Sequence, residues 1–134
     1  MILVDSSVWI DYFNGNISAE TDTLDRLLGV EPLAIGDLIL TEVLQGFRAD
    51  NDYQTAKSLL MTLTVFDMLG SELAIKAADN FRLLRKQGIT IRKTADVIIA
   101  TYCIEHRHTL LFADKDFLPL VAHLGLKAVT INGH

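Results

Sequence analysis

The sequence predicts an α/β/α sandwich built on a central parallel sheet of about five strands, and three features carry that prediction. Short apolar runs recur at 2–4, 33–35, 63–66, 109–112 and 127–131, each with few charges, as strands buried on both faces require. Segments of helical periodicity separate them. Pro32 and most of the eight glycines fall between the periodic stretches, where they act as punctuation.

Residues 2–5 read as a buried first strand. Ser6 or Ser7 is placed to cap a helix running to about Asn14, ahead of Gly15. A second helix covers 18–29, with Leu24, Leu27 and Leu28 on one face and Gly29 as its stop. Leu33-Ala34-Ile35 is a short second strand. Asp37 is placed to cap a helix over 38–48 that carries Leu40, Val43, Leu44 and Phe47, and a further helix covers 51–62. Leu63 to Phe66 forms the third strand. A long helix starts at Ser71 and runs to about Gln87, closed by Gly88. Thr94 is placed to cap a helix from Ala95 to about His106. Thr109 to Phe112 is the fourth strand, Asp114 to about His123 is wholly or partly helical, and Lys127 to Ile131 is the fifth strand. With no repeat, low-complexity stretch or linker, residues 1–134 read as a single domain able to bury a sizeable core.

Composition narrows the class of protein. An apolar fraction of 50% argues against disorder. No apolar run approaches the ~20 residues of a membrane span, and the first residues lack the pattern of a signal peptide. Cys103 is the only cysteine, which leaves no intrachain disulfide and no thiolate metal cluster. The expected location is cytoplasmic. The net charge of −5 gives no global attraction for nucleic acid, although a local patch or a second subunit can supply a positive face.

The residues with the most chemistry are acids. Asp5 sits where the apolar run Ile2-Leu3-Val4 stops, and Asp114 follows the fourth strand. In open parallel sheets ligands bind outside the carboxyl ends of the strands. Glu42 lies in a helix that is apolar nearly all round, with Gly46 one turn away leaving space beside the carboxylate. Asp96 occupies the first turn of its helix. Each acid alone has an ordinary use, as a cap, as a partner of the helix dipole or as a solvated side chain. Brought together they would repel and raise one another's pKa unless a cation joined them. Hard divalent ions such as Mg²⁺ or Mn²⁺ take such oxygen ligands and serve phosphodiester hydrolysis.

Four stretches carry a resemblance. Met1-Ile2-Leu3-Val4-Asp5-Ser6-Ser7-Val8-Trp9-Ile10-Asp11-Tyr12-Phe13 resembles the start of a PIN-domain ribonuclease of the VapC toxin family. Glu42 within Leu40-Thr41-Glu42-Val43-Leu44-Gln45-Gly46 resembles that family's second acid motif. Asp96 with Val97-Ile98-Ile99-Ala100 resembles the third, and Ala113-Asp114-Lys115-Asp116-Phe117 the fourth. The match runs in order over essentially the whole chain. It implies a PIN-like α/β/α sandwich and a Mg²⁺- or Mn²⁺-dependent endoribonuclease, the toxin of a type II toxin–antitoxin pair. Asp5, Glu42, Asp96 and Asp114 would be its catalytic and metal-site acids. Asp116 would be an auxiliary acid, and Ser6 a polar neighbour that orients a carboxylate. The resemblance also implies a homodimer, a small VapB-like antitoxin that covers the site, and contact with operator DNA only through that antitoxin. One departure stands out. Phe112-Ala113 replaces the small hydroxyl residue and asparagine of many relatives, removing polar side chains beside Asp114.

RNA must be gripped by local positive charge. Arg92 and Lys93 precede Asp96 and Lys115 adjoins Asp114, so these three are placed best for phosphate contacts, which give affinity without reading sequence. Arg82, Arg85 and Lys86 share the long helix and otherwise read as solvated. Trp9 and Tyr12 could stack a base, with core packing the commoner use. Cys103 reads as a core thiol, and His106 and His108 as residues favouring a helix C-terminus or solvent. A receiver-like phosphoacceptor at Asp67 lacks the paired acids after strand one and the lysine after strand five. The alternative from another class is a non-catalytic PIN-fold binding or regulatory module, in which the acids only cap helices. A metal-induced rise in melting temperature separates that module from a nuclease.

Overall fold

Residues 1–131 are described by the computed structural model of the chain. Strand β1 (Ile2–Val4) lies at the centre of a five-stranded sheet, with Leu3 and Val4 fully buried. It pairs with β2 (Leu33–Gly36) through Ile2↔Leu33 on one side and with β4 (Thr109–Leu111) through Ile2↔Thr109 on the other. Edge strands β3 (Thr64–Phe66) and β5 (Lys127–Ala128) complete the order β3-β2-β1-β4-β5, and every pair is parallel. The chain winds outward in one direction through β2 and β3, then crosses to the far side of β1 for β4 and β5. The gap between the ends of β1 and β4 is therefore the switch point at which α/β sheets open a crevice.

Helix α1 (Ser6–Phe13) packs against α2 (Ala19–Leu27) and α3 (Asp37–Leu44), and α3 packs against α4 (Asp50–Leu60). The long α5 (Ser71–Lys86) lies along α6 (Thr94–His106), which also meets α7 (Leu118–Leu124). The core between helices and sheet is filled by Trp9, Ile35, Ile39, Ile99, Leu110, Leu111 and Phe117, all essentially without exposure. Burial of these side chains is worth about 1.5–3 kcal/mol each before the entropy of ordering them is charged.

Several expected boundaries move for identifiable reasons. Helix α1 is capped by Asp5 rather than by Ser6 or Ser7, because the chain turns immediately after β1 and the aspartate oxygen already reaches the Ser7 amide. Gly36, not Asp37, occupies the cap position of α3. Asp37 instead accepts from the Leu38 amide at 2.8 Å and from the Met68 amide at 3.1 Å, tying the end of β2 to the segment after β3. Gly36 leaves room for the Met68 side chain, which a Cβ there would force to shift. Lys93, not Thr94, occupies the cap position of α6. The last predicted helix divides into a 3-10 turn (Lys115–Phe117) and α7, which ends at Gly125. β4 stops at Leu111, and Phe112 turns to pack on Phe117, ring centroids 5.2 Å apart. β5 is two residues long rather than five; its pairing with β4 keeps one more bond, from the Val129 amide to the Leu110 carbonyl at 3.0 Å.

The order of strands removes the receiver-like reading. Asp67 is exposed at the end of edge strand β3, two strands away from Asp5. Cys103 is wholly buried in α6, where desolvation pushes its thiol up to about 12, so it is a packing residue and not a nucleophile.

Candidate metal centre

Five acids meet at the switch point, each from a different place in the chain. Asp5 leaves the end of β1, Asp114 follows β4, and the two ends are stitched by the Asp5 amide donating to the Leu111 carbonyl at 2.9 Å. Asp96 comes from the first turn of α6, Glu42 from the middle of α3 and Asp116 from the 3-10 turn. Asp5 and Asp96 are 3% and 4% exposed, while Glu42, Asp114 and Asp116 are partly exposed. Asp96, Asp114 and Asp116 each offer a carboxylate oxygen within 4.8 Å of the others.

The hydrogen bonds inside the group are incomplete. Asp5 Oδ2 accepts from the Ser7 hydroxyl at 2.8 Å, and Asp114 Oδ1 accepts from the Asp116 amide at 2.9 Å. Asp5 Oδ1, Asp96 Oδ2 and Glu42 Oε1 are buried with no partner. A buried oxygen without a donor is costly, and an ionised one more so. The ionisation behaviour follows. Burial raises the Asp5 carboxyl above its ordinary range, the bonds from Ser7 oppose that rise, and Asp114 adds to it. Burial again leads at Asp96, which the charges of Asp5, Asp114 and Glu42 push further, to about 7, against the pull of Lys93. Glu42 is raised by burial and by Asp5, with Ser6 and Lys93 acting in the opposite sense.

These causes separate two serines that the sequence treats together. Ser6 acts on Glu42, whereas Ser7 holds Asp5. Ser7 is the residue that sequence reasoning missed. The signal was present, because an N-cap aspartate takes its hydrogen bond from the amide two residues on, which is Ser7.

The expected cations divide as well. Arg92 donates from Nε and Nη2 to Asp116 Oδ2 at 3.2 and 3.1 Å, and Lys93 Nζ lies 3.4 Å from Asp114 Oδ2. Lys115 forms no ion pair with this group among the described residues and lines a depression with Glu20, Phe112, Ala113 and Val129. Arg82 and Arg85 border a groove between α5 and α6, with Arg85 over the Phe81 ring. Trp9 is buried against Phe13, so no base can stack on it; the Tyr12 hydroxyl donates to Asp25. His106 and His108 stack with Tyr102, away from the acid group.

The donor set fits a hard divalent cation. It is all oxygen, it is enriched in negative charge, and three of its buried oxygens lack the proton donors that would otherwise compensate them.

Comparison with known proteins places this geometry in context. The PIN domain family model matches residues 2–122. Ribonuclease VapC11 of Mycobacterium tuberculosis is 32% identical over 135 residues, a match covering 97% of this chain and 98% of that protein. VapC ribonuclease Mb1587 of Mycobacterium bovis matches with the same identity and coverage. Among solved structures, VapBC2 of Rickettsia felis bound to a fragment of promoter DNA contains a chain similar with TM-score 0.77 at 18% identity, covering 98% of this chain and 100% of that one. VapC20 of Mycobacterium tuberculosis, a toxin that cleaves the sarcin-ricin loop, is similar with TM-score 0.65 at 17% identity, covering 89% and 94%.

Proposed function

The chain belongs to the VapC family of PIN-domain proteins, and on that premise we propose that it is a metal-dependent endoribonuclease, the toxin of a type II toxin–antitoxin pair. The observation that carries the proposal is the meeting of carboxylates from separate elements at the sheet's switch point, with three buried oxygens left without donors. Asp5, Glu42, Asp96 and Asp114 would hold Mg²⁺ or Mn²⁺, and Asp116 would assist from the 3-10 turn. When bound, such an ion polarises the scissile phosphate and lowers the pKa of the attacking water.

The chain's own residues set the geometry for that chemistry. The Ser7 hydroxyl holds Asp5 at 2.8 Å, and Ser6 would act in the same way on Glu42, whose carboxyl it draws downward. The Asp116 amide orients Asp114. Arg92 and Lys93 stand at the mouth, where they can meet RNA phosphates, and Lys115 can extend that contact along the strand. Hydrolysis by water would leave a 3′-hydroxyl and a 5′-phosphate. The apolar lining left by Phe112 and Ala113 offers packing but no hydrogen bond to the substrate.

Partners follow from the same reading. Solved relatives that occur as toxin–antitoxin complexes, one with promoter DNA, support a VapB-like antitoxin that covers this site and carries the operator-binding part. Exposed Leu69, Ile75 and Leu83 give α5 and the turn before it an apolar surface suited to a homodimer contact. No helix among the described residues is long and apolar enough to cross a membrane, and a cytoplasmic site of action suits an RNA substrate. Residues 1–134 would act as one domain.

The test uses the purified chain with RNA and Mn²⁺. Cleavage giving 5′-phosphate ends, abolished by Asp5→Asn or Asp96→Asn, is the expected result. Absence of both cleavage and a metal-induced rise in melting temperature would establish the non-catalytic binding module instead.

A further inference from the structure

Lys93 is the cation that acts on four of the five acids. Its ammonium lies 3.4 Å from Asp114 Oδ2, and it is coupled electrostatically to Asp5, Glu42 and Asp96 as well. Arg92, its neighbour, contacts only Asp116 among the acids of the site. The backbone places Lys93 at the cap position of α6, three residues before Asp96. The side chain remains 59% exposed. The contact with Asp114 is single and longer than the 2.7–2.9 Å typical of a tight charge-assisted bond. Lys93 is therefore close enough to offset negative charge and loose enough to leave.

Asp114 Oδ1 is already engaged by the Asp116 amide, so a divalent cation held by these acids would compete for Oδ2, the oxygen that Lys93 contacts. An oxygen that coordinates such an ion is a poor acceptor for an ammonium group, and the two positive charges repel at this range. Resting on the nuclease reading above, we propose that Lys93 is an internal counterion that competes with the divalent cation for the acid group, leaves Asp114 when the cation binds, and is thereby freed for an RNA phosphate. The protein then couples its two ligands. Cation binding releases a phosphate-binding side chain, and a phosphate that takes Lys93 removes the competitor of the cation. Linkage makes the coupling reciprocal, so each ligand tightens the other by the same factor. Lys93 acts in this scheme as a positioning residue, and its effect appears in metal affinity before any reaction takes place.

The experiment is calorimetric titration of Mn²⁺ into wild type, Lys93→Gln, Lys93→Arg and Lys57→Gln in low salt without RNA. Lys57 is on α4, over the Tyr53 ring, and controls for the loss of one positive charge elsewhere. Lys93→Gln is expected to bind Mn²⁺ about fivefold or more tightly than wild type, while Lys93→Arg and Lys57→Gln stay near wild type. Unchanged or weaker binding by a cooperatively folded Lys93→Gln overturns the counterion role. If wild type binds Mn²⁺ and cuts RNA in that case, the nuclease reading stands without it; if wild type binds no Mn²⁺, both readings fall. Should Lys93→Gln not fold, amine acylation of wild type decides. Lys93 must react faster in Mn²⁺ than in chelator, and an equal or slower rate refutes its release.

Discussion

Replacing Asp96 with asparagine should make the metal-free protein more stable at pH 8, although it removes a residue from the centre of the site. In the folded chain Asp96 keeps its proton up to about pH 7, against an ordinary value of 3.8, chiefly because it is buried and then because Asp5 faces it. The sign is that of a raised carboxyl. Below the unfolded value the group is neutral in both states and costs nothing. Between about pH 4 and 7 the folded state binds more protons, so stability falls as pH rises, and above 7 the loss is complete. A displacement of that size corresponds to about 4 kcal/mol. Water at the open mouth and the high effective dielectric of such sites bring the expected gain to about 2 kcal/mol. The asparagine amide can also donate to carboxylates that now lack donors. The assay is urea denaturation of both proteins in chelator at pH 5, 6, 7 and 8. The advantage of Asp96→Asn should grow with pH and level off above 7. In saturating Mg²⁺ the order should reverse, because the ion stabilises only the protein that binds it. A variant less stable than wild type at pH 8 in chelator, or an advantage indifferent to pH, would refute the account of a strained acid group.

Three further outcomes are expected. Ser7→Ala removes the 2.8 Å bond to Asp5 and should cost about 1 kcal/mol in stability and about tenfold in metal affinity, read by denaturation and by Mn²⁺ titration. Gly36→Ala should cost about 1–3 kcal/mol, because the new methyl group meets the Met68 side chain; a midpoint in urea equal to wild type would show that this crowding relaxes freely. Arg92→Gln should leave stability within about 0.5 kcal/mol, its pairing with Asp116 being largely exposed, yet reduce the salt-dependence slope of RNA binding by about one.

Much of the fold can be read in the chain because buried parallel strands leave an unmistakable trace. The runs at 2–4 and 33–35 coincide with paired inner strands, since a strand covered on both faces tolerates little but apolar residues, and the run at 63–66 overlaps the edge strand β3. β5 is harder to read for the opposite reason. Both of its residues are exposed at an edge, so apolar residues beyond Ala128 say nothing of where pairing stops. Caps at Asp37 and Thr94 were misplaced by one residue because a cap is defined by backbone angles, and several adjacent polar residues satisfy the composition equally well. In the site, the strand ends that present Asp5 and Asp114 are local properties of sequence. The pairing of Arg92 with Asp116, 24 residues apart, is not, because it depends on how the loop before α6 lies over the 3-10 turn. The placement of Lys115 in the depression beside Phe112 is equally invisible, since it depends on that turn.

The bond from the Asp5 amide to the Leu111 carbonyl joins the first strand to one that is synthesised more than a hundred residues later. Asp114 and Asp116 arrive later still. A ribosome that has released only the first half of the chain therefore presents Asp5 and Glu42 without the acids that complete their site. A contact of such long range also makes assembly comparatively slow. For a protein whose activity would threaten the RNA of the cell that makes it, this order of appearance withholds the cutting centre until Asp114 and Asp116 have emerged, leaving an interval in which a partner can meet it first.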